Sequence, residues 1–306
     1  MKTDSILTAG FIGLGAMGAP MARRLDAAGR LAAVWNRSAG RMDAFASEND
    51  VLRAANPAAL AGAAPVVITC VAADKDLLEV VEQLLPALDA DSVVIDCSTV
   101  GMETAREAGA RVQACRAGFL DAPVSGGVEG ARRGTLAMMV GGDAGLLDRV
   151  RPLLTCMAAR IEHMGPLGSG QATKAVNQIM CAGINQAVTE ALAFAEAHEL
   201  PVDRVIDVVS GGAAGNWFLD HRGRSMVSGE FAEGFKVALH HKDLEICRRM
   251  AATLGVAMPV VEMTLVHYRR LVQAGFGDED ISALFREKRA LFERGARERA
   301  AGTDDG

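Results

Sequence analysis

Phe11-Ile12-Gly13-Leu14-Gly15-Ala16-Met17-Gly18 is the stretch whose reading decides the fold. Its G-x-G-x-x-G spacing follows an apolar run at residues 7–12 and opens a segment with helical periodicity. In that setting Gly13 makes the tight turn, Gly15 leaves room for a pyrophosphate against the backbone, and Gly18 lets helix and strand pack closely. The unpaired N–H groups and positive dipole end of the helix then favour phosphate. Taken alone, the spacing is equally a glycine-rich turn. The strand before it and the helix after it make Gly13, Leu14, Gly15, Ala16, Met17 and Gly18 a candidate dinucleotide cradle.

Outward from this motif, short β-branched runs alternate with longer amphipathic segments as far as residue 164, the signature of βαβ units. The pattern predicts strands at 7–12, 31–35, 66–71, 93–96, 118–121, 137–140 and 160–164, with a weak one at 51–54, and helices at 75–88, 102–117 and 143–157. Such a doubly wound sheet binds its ligands at the carboxyl ends of its strands. After Gly165-Pro166-Leu167-Gly168-Ser169-Gly170 the texture changes, and 171–200 reads as one helix of roughly 45 Å. Helices at 202–209, 237–254, 259–274 and 281–293 follow, with a polar tail at 294–306 that is expected to fray. The fold class is therefore α/β, a Rossmann doubly wound domain over residues 1–166, joined by the long helix to an all-α domain over 167–306.

At the end of the second strand, where a carboxylate would hold a ribose 2′-OH and select NAD, the chain reads Asn36-Arg37-Ser38. A guanidinium can pair with a 2′-phosphate and stack on adenine, with no strand-end carboxylate to repel the phosphate. NADPH is the expected cofactor, with NAD the lesser possibility. The alternative for Arg37 is a solvated loop residue.

The bulk numbers agree with small-molecule chemistry. Of 306 residues, 50% are apolar and 23% charged, which suits a globular protein with a sizeable core. A net charge of −6 argues against a general nucleic-acid binder. The longest mainly apolar stretch, 63–73, is far short of the ~20 residues of a membrane span. Lys2 and the apolar residues after it imitate a signal peptide, but Asp4 and the glycines from Gly10 to Gly18 fit the nucleotide motif better. Six scattered cysteines without a C-x-x-C pair suggest buried thiols in a cytoplasmic protein, with neither zinc nor a disulfide framework. The adjacent His240 and His241 point to different sides of a helix and cannot chelate one ion, so no metal is expected.

Read in full as Gly13-Leu14-Gly15-Ala16-Met17-Gly18-Ala19-Pro20-Met21-Ala22, the fingerprint resembles that of the β-hydroxyacid dehydrogenases, which include 3-hydroxyisobutyrate dehydrogenase, tartronate semialdehyde reductase, and glyoxylate and succinic semialdehyde reductases. Three further segments match in order: Asp121-Ala122-Pro123-Val124-Ser125-Gly126-Gly127, then Gly168-Ser169-Gly170-Gln171-Ala172-Thr173-Lys174-Ala175-Val176-Asn177, then Lys242-Asp243-Leu244. Arg24 departs from the Asn that the family's fingerprint helix often carries.

The resemblance implies an oxidoreductase that holds a small carboxylate-bearing aldehyde or hydroxy acid between its domains, assembled as a homodimer or homotetramer. It gives Lys174 the catalytic role. In carbonyl reduction the oxygen gains negative charge that must be shielded or protonated, and an ammonium does both. Asn177, at i+3 on the same helical face, can hydrogen-bond the same oxygen. Ser125, Gly126 and Gly127 are expected to cradle the substrate carboxylate, or else form a plain loop. Thr99 and Val71 end strands on the ligand edge and are expected beside the cofactor. Lys242 is placed against it by resemblance, against the alternative of a helix-surface charge paired with Asp243 or Glu245. Trp217 and Phe218, in a 211–224 stretch expected to wall the pocket, are read as core rather than ligand contacts. Two other readings stay open: a dinucleotide-binding sensor or interaction module without turnover, and an imine reductase, although relatives of that kind replace the lysine.

Overall fold

The computed structural model describes residues 7–232 and 234–302. The chain divides into two compact units, Met1–Val176 and Asn177–Gly306. In the first unit, nine strands among the described residues form one sheet. They are β1 (Ala9–Ile12), β2 (Leu31–Trp35), β3 (Leu52–Arg53), β4 (Val66–Thr69), β5 (Val93–Asp96), β6 (Gly118–Asp121), β7 (Val124–Ser125), β8 (Leu136–Gly142) and β9 (Ala158–Gly165). Helices α1 (Gly18–Ala27), α2 (Ala39–Glu48), α3 (Pro57–Ala63), α4 (Asp74–Leu84), α5 (Met102–Ala114), α6 (Gly127–Arg133) and α7 (Ala144–Leu154) connect them.

The order β3-β2-β1-β4-β5-β6, parallel throughout, reverses between β1 and β4, where a doubly wound sheet opens its ligand crevice. Period-two alternation builds a core on each face. Phe11, Val34, Ile68, Ile95 and Leu120 bury into one, and Ile12, Ala33, Val67, Val94 and Phe119 into the other. Beyond β6 the sheet departs from the parallel pattern, because β8 runs antiparallel to both β6 and β7. The two-residue β7 was not among the expected strands; it is too short to show alternation.

Helix α8 (Ser169–Ala197) starts two residues earlier than periodicity suggested and ends three earlier. Its end is set by Glu199, which takes a left-handed φ of 55°, while the Leu200 N–H closes on Ala195 O at 3.0 Å. The turns up to Val176 belong to the first unit and the remainder to the second.

The second unit continues with α9 (Val202–Ser210), α10 (Trp217–Val227), α11 (Val237–Ala252), α12 (Pro259–Gln273) and α13 (Leu284–Gly302). Helix α10 was not expected as a helix. Asn216 caps it by accepting the Leu219 N–H at 2.9 Å, a start signal hidden behind the glycines at 211, 212 and 215. Trp217 corrects the core assignment: it is 61% exposed and stacks on His221, whereas Phe218 is buried. The tail departs from fraying as well, since α13 continues to Gly302; residues 303–306 lie outside the described residues. Tyr268 centres the buried polar contacts, bonded to Asn185 Nδ2 at 2.9 Å and His240 Nδ1 at 3.0 Å. None of the six cysteines is in a disulfide, and only Cys97 and Cys247 are fully buried, so the expectation of buried thiols holds for two of them. Among the described residues no helix is long and apolar enough to cross a membrane.

Candidate active site

The glycines of the motif divide their tasks. Gly13 has a φ of 97°, and a Cβ there would overlap the Cys70 carbonyl oxygen at the end of β4. A Cβ on Gly18 would overlap the Gly13 carbonyl oxygen and crowd Phe11, so only glycine lets α1 sit this close to β1. Gly15 differs: the nearest heavy atom to its would-be Cβ is Arg41 Nη1 at 3.9 Å. A side chain there would meet open space, as a backbone reserved for a bulky ligand requires. This is the cradle a dinucleotide pyrophosphate fits.

Asn36 braces that loop. Its Oδ1 accepts the Leu14 N–H at 2.8 Å and its Nδ2 donates to Ser38 O at 3.0 Å. Arg37 extends with 74% of its side chain exposed and pairs through Nη1 with Asp76 Oδ1 at 2.8 Å. Asp76, in the first turn of α4, is nearly buried; sequence spacing gave it no role. Arg24 reaches from α1 to Cys156 O at 3.3 Å.

At the carboxyl edge of the sheet, two carboxyls organise the loops. Asp96 Oδ1 accepts from Thr69 Oγ1 at 2.7 Å and Ser98 Oγ at 2.6 Å, and Ser98 Oγ accepts the Val71 N–H at 2.8 Å. Burial pushes the Asp96 carboxyl from 3.8 up to about 6, against the pull of these hydrogen bonds. The folded-state value lies above the unfolded one. Neutral Asp96 therefore contributes its stability below about pH 4 and loses it as pH rises through about 6. The Tm difference Asp96→Asn minus wild type is expected to rise from about pH 4 to about pH 7; a flat difference would refute this assignment.

Asp121, aligned with Asp96 on the next strand, caps the start of α8. Its Oδ1 accepts the Gly168 N–H and its Oδ2 the Gln171 N–H, each at 2.8 Å. Burial raises its pKa, opposed by those two N–H groups. Gly141 and Gly170 let the helix root touch the sheet: a Cβ on either would overlap Asp121 or the Met139 carbonyl. Lys174, three residues past Gln171, is only 7% exposed. Ser125 lies in β7 opposite Ala137, and Gly126 and Gly127 turn with φ of 127° and 61°.

In the second unit, Asn177 donates to Gln178 Oε1 at 2.7 Å, Gln178 Nε2 to Asp243 Oδ2 at 2.6 Å, and Asp243 Oδ1 meets Lys242 Nζ at 2.9 Å. The local Lys242–Asp243 pair foreseen as an alternative is thus present, but as the end of a chain that leads to Asn177. Gln178 and Asp243 are buried linkers that went unrecognised; Asp243 adjoins the recognised lysine, and Gln178 carried no signal beyond adjacency to Asn177. His240 is buried against Tyr268 and Gln178 O.

Residues 8–165 match the family model described as the NAD binding domain of 6-phosphogluconate dehydrogenase, and residues 168–287 match that described as NAD-binding of NADP-dependent 3-hydroxyisobutyrate dehydrogenase. A solved Mycobacterium tuberculosis 3-hydroxyisobutyrate dehydrogenase with L-serine superposes with a TM-score of 0.84 at 34% identity, covering 93% of this chain and all of that one. The NAD-dependent L-serine dehydrogenase of Pseudomonas aeruginosa is 32% identical over 90% of this chain and 95% of its own length. The 2-hydroxy-3-oxopropionate reductase of Escherichia coli is 34% identical over 82% of this chain and 86% of its own.

Proposed function

Because this chain belongs to the β-hydroxyacid dehydrogenase family, whose NAD(P)-dependent oxidoreductases act on the CH–OH group of hydroxy acids, we propose that its own reaction is the reversible NADPH-dependent reduction of a small aldehydo- or keto-carboxylic acid. Tartronate semialdehyde, glyoxylate, succinic semialdehyde and methylmalonate semialdehyde are the substrates to try first. The observation that carries the reading is Lys174: a lysine only 7% exposed, one turn beyond a helix start that Asp121 fastens to the ligand edge of the sheet.

The loop from Gly13 to Gly18, braced by Asn36, holds the dinucleotide phosphates, and Val71 and Thr99 complete its binding within the first unit. When bound, the dinucleotide supplies a hydride to the carbonyl carbon. Lys174 gives a proton to the carbonyl oxygen as its charge builds, and in the reverse direction the neutral amine takes it back. Asn177 hydrogen-bonds the same oxygen, and Ser125 with the Gly126–Gly127 turn receives the carboxylate. A burial of this kind argues for chemistry over a binding module, since a surface lysine would serve a module as well. Absorbance at the reduced-nicotinamide band with a panel of such acids tests the proposal. Silence across the panel, with cofactor bound, would favour the non-catalytic reading.

The NADPH preference rests on Arg37 at the end of β2. Its salt bridge to Asp76 is mostly solvent-exposed on the arginine side and therefore weak, so a 2′-phosphate dianion is the stronger partner. Arg37→Asp is expected to lower the NADPH-to-NADH ratio of kcat/KM by about 10- to 100-fold, the worth of one or two charged hydrogen bonds. A wild type equally efficient with NADH would remove the preference.

A further inference from the structure

We propose that Gln171 is a positioning residue that locks the loop carrying Thr99 to the helix turn carrying Lys174. This rests on the reading of Lys174 as proton donor and of Thr99 as a cofactor contact. Gln171 is 1% exposed, and its carboxamide clasps Thr99 from both sides. Oε1 accepts the N–H of Val100, just after Thr99, at 3.2 Å, and Nε2 donates to the carbonyl of Ser98, just before it, at 2.8 Å. The main-chain N–H of Gln171 is meanwhile held by Asp121.

The clasped loop is pinned on its other flanks. Ser98 Oγ bridges Asp96 and the Val71 N–H, and the Gly101 N–H donates to Asp74 Oδ1 at 2.7 Å. One residue therefore ties a framework spanning β4, β5 and β6 to α8, through its side chain to the loop after β5 and through its main-chain N–H to Asp121 of β6. It stands at i−3 from Lys174, so a shift of the clasp is a shift of the ammonium. A backbone loop and a helix that drift by about 1 Å lose the alignment that hydride and proton transfer share, a displacement that costs about 10²-fold in rate.

Two variants test the clasp by steady-state kinetics and dinucleotide binding on the full-length protein. Gln171→Met fills the space without either hydrogen bond; its kcat is expected to fall about 10- to 100-fold while the NADPH Kd changes far less. Gln171→Glu separates the clasp from mere packing. A neutral carboxyl can accept from Val100 and donate to Ser98, whereas a carboxylate faces the Ser98 oxygen with no proton to give. The Asp96 and Asp121 carboxyls of the same network keep their protons to higher pH than usual because of burial, and an acid at 171 joins them. The ratio of Gln171→Glu to wild-type kcat is thus expected to climb as pH falls from about 9 to about 5. A Gln171→Met kcat within about twofold of wild type, or a pH-independent Gln171→Glu ratio, would overturn the assignment. If the Met variant does not fold, the Gln171→Glu ratio decides alone. A wild type that binds NADPH without oxidising it would overturn both this clasp and the proposed reaction, whereas an active wild type with an indifferent Met variant overturns the clasp only.

Discussion

Replacing Lys174 by alanine is expected to cut kcat by about 10²- to 10⁴-fold, the usual contribution of a positioned acid, while NADPH affinity stays close to wild type. The separation follows from where the side chain stands. The proposed phosphate cradle runs from Gly13 to Gly18 on the β1–α1 turn, whereas Lys174 stands in α8. Lys174→Arg sharpens the test. It keeps the positive charge that shields an alkoxide but holds its proton too firmly to donate it, so it should recover only a small part of the loss. Turnover and fluorescence titration of the reduced nicotinamide measure the two halves independently. Near-normal turnover in Lys174→Ala would exclude the lysine as proton donor.

Gly15→Ala and Gly18→Ala are expected to fail for different reasons, although the same motif names both. At Gly15 the added methyl meets no protein atom closer than 3.9 Å, so Tm should hold while dinucleotide affinity falls by about tenfold or more. At Gly18 the methyl collides with the Gly13 backbone, and the protein should lose about 1–3 kcal/mol of stability, with binding impaired because the turn is displaced. Thermal melts and NADPH titrations of the pair decide it. A destabilised Gly15→Ala that still binds, or a stable Gly18→Ala that does not, would contradict this division of roles.

Much of this was written in local pattern. Strands β1, β2, β4, β5 and β6 are period-two or wholly apolar runs, and the glycine motif announces its own neighbours, so the doubly wound half was legible from spacing. The long helix was legible too, because nothing interrupts it between Ser169 and Ala197. What stayed hidden lives at long sequence separation or in elements too short for a period. Arg37 and Asp76 are 39 residues apart, and Gln171 meets Ser98 at a separation of 73. Asp121 was visible as an acid closing an apolar strand, but its office as the cap of α8 depends on a helix that begins 48 residues later. Trp217 misled because bulk and aromaticity suggest a core, whereas α10 turns it outward beside Arg222.

The bare backbone contact of Gly141 with Gly170 makes the root of α8 a hard stop. A helix is stiff over a few turns, so a displacement at its first residues arrives undiminished farther along, as with a rod levered at one end. An intrusion as small as one methyl at either glycine would therefore carry the side chain of Lys174 bodily along with the helix.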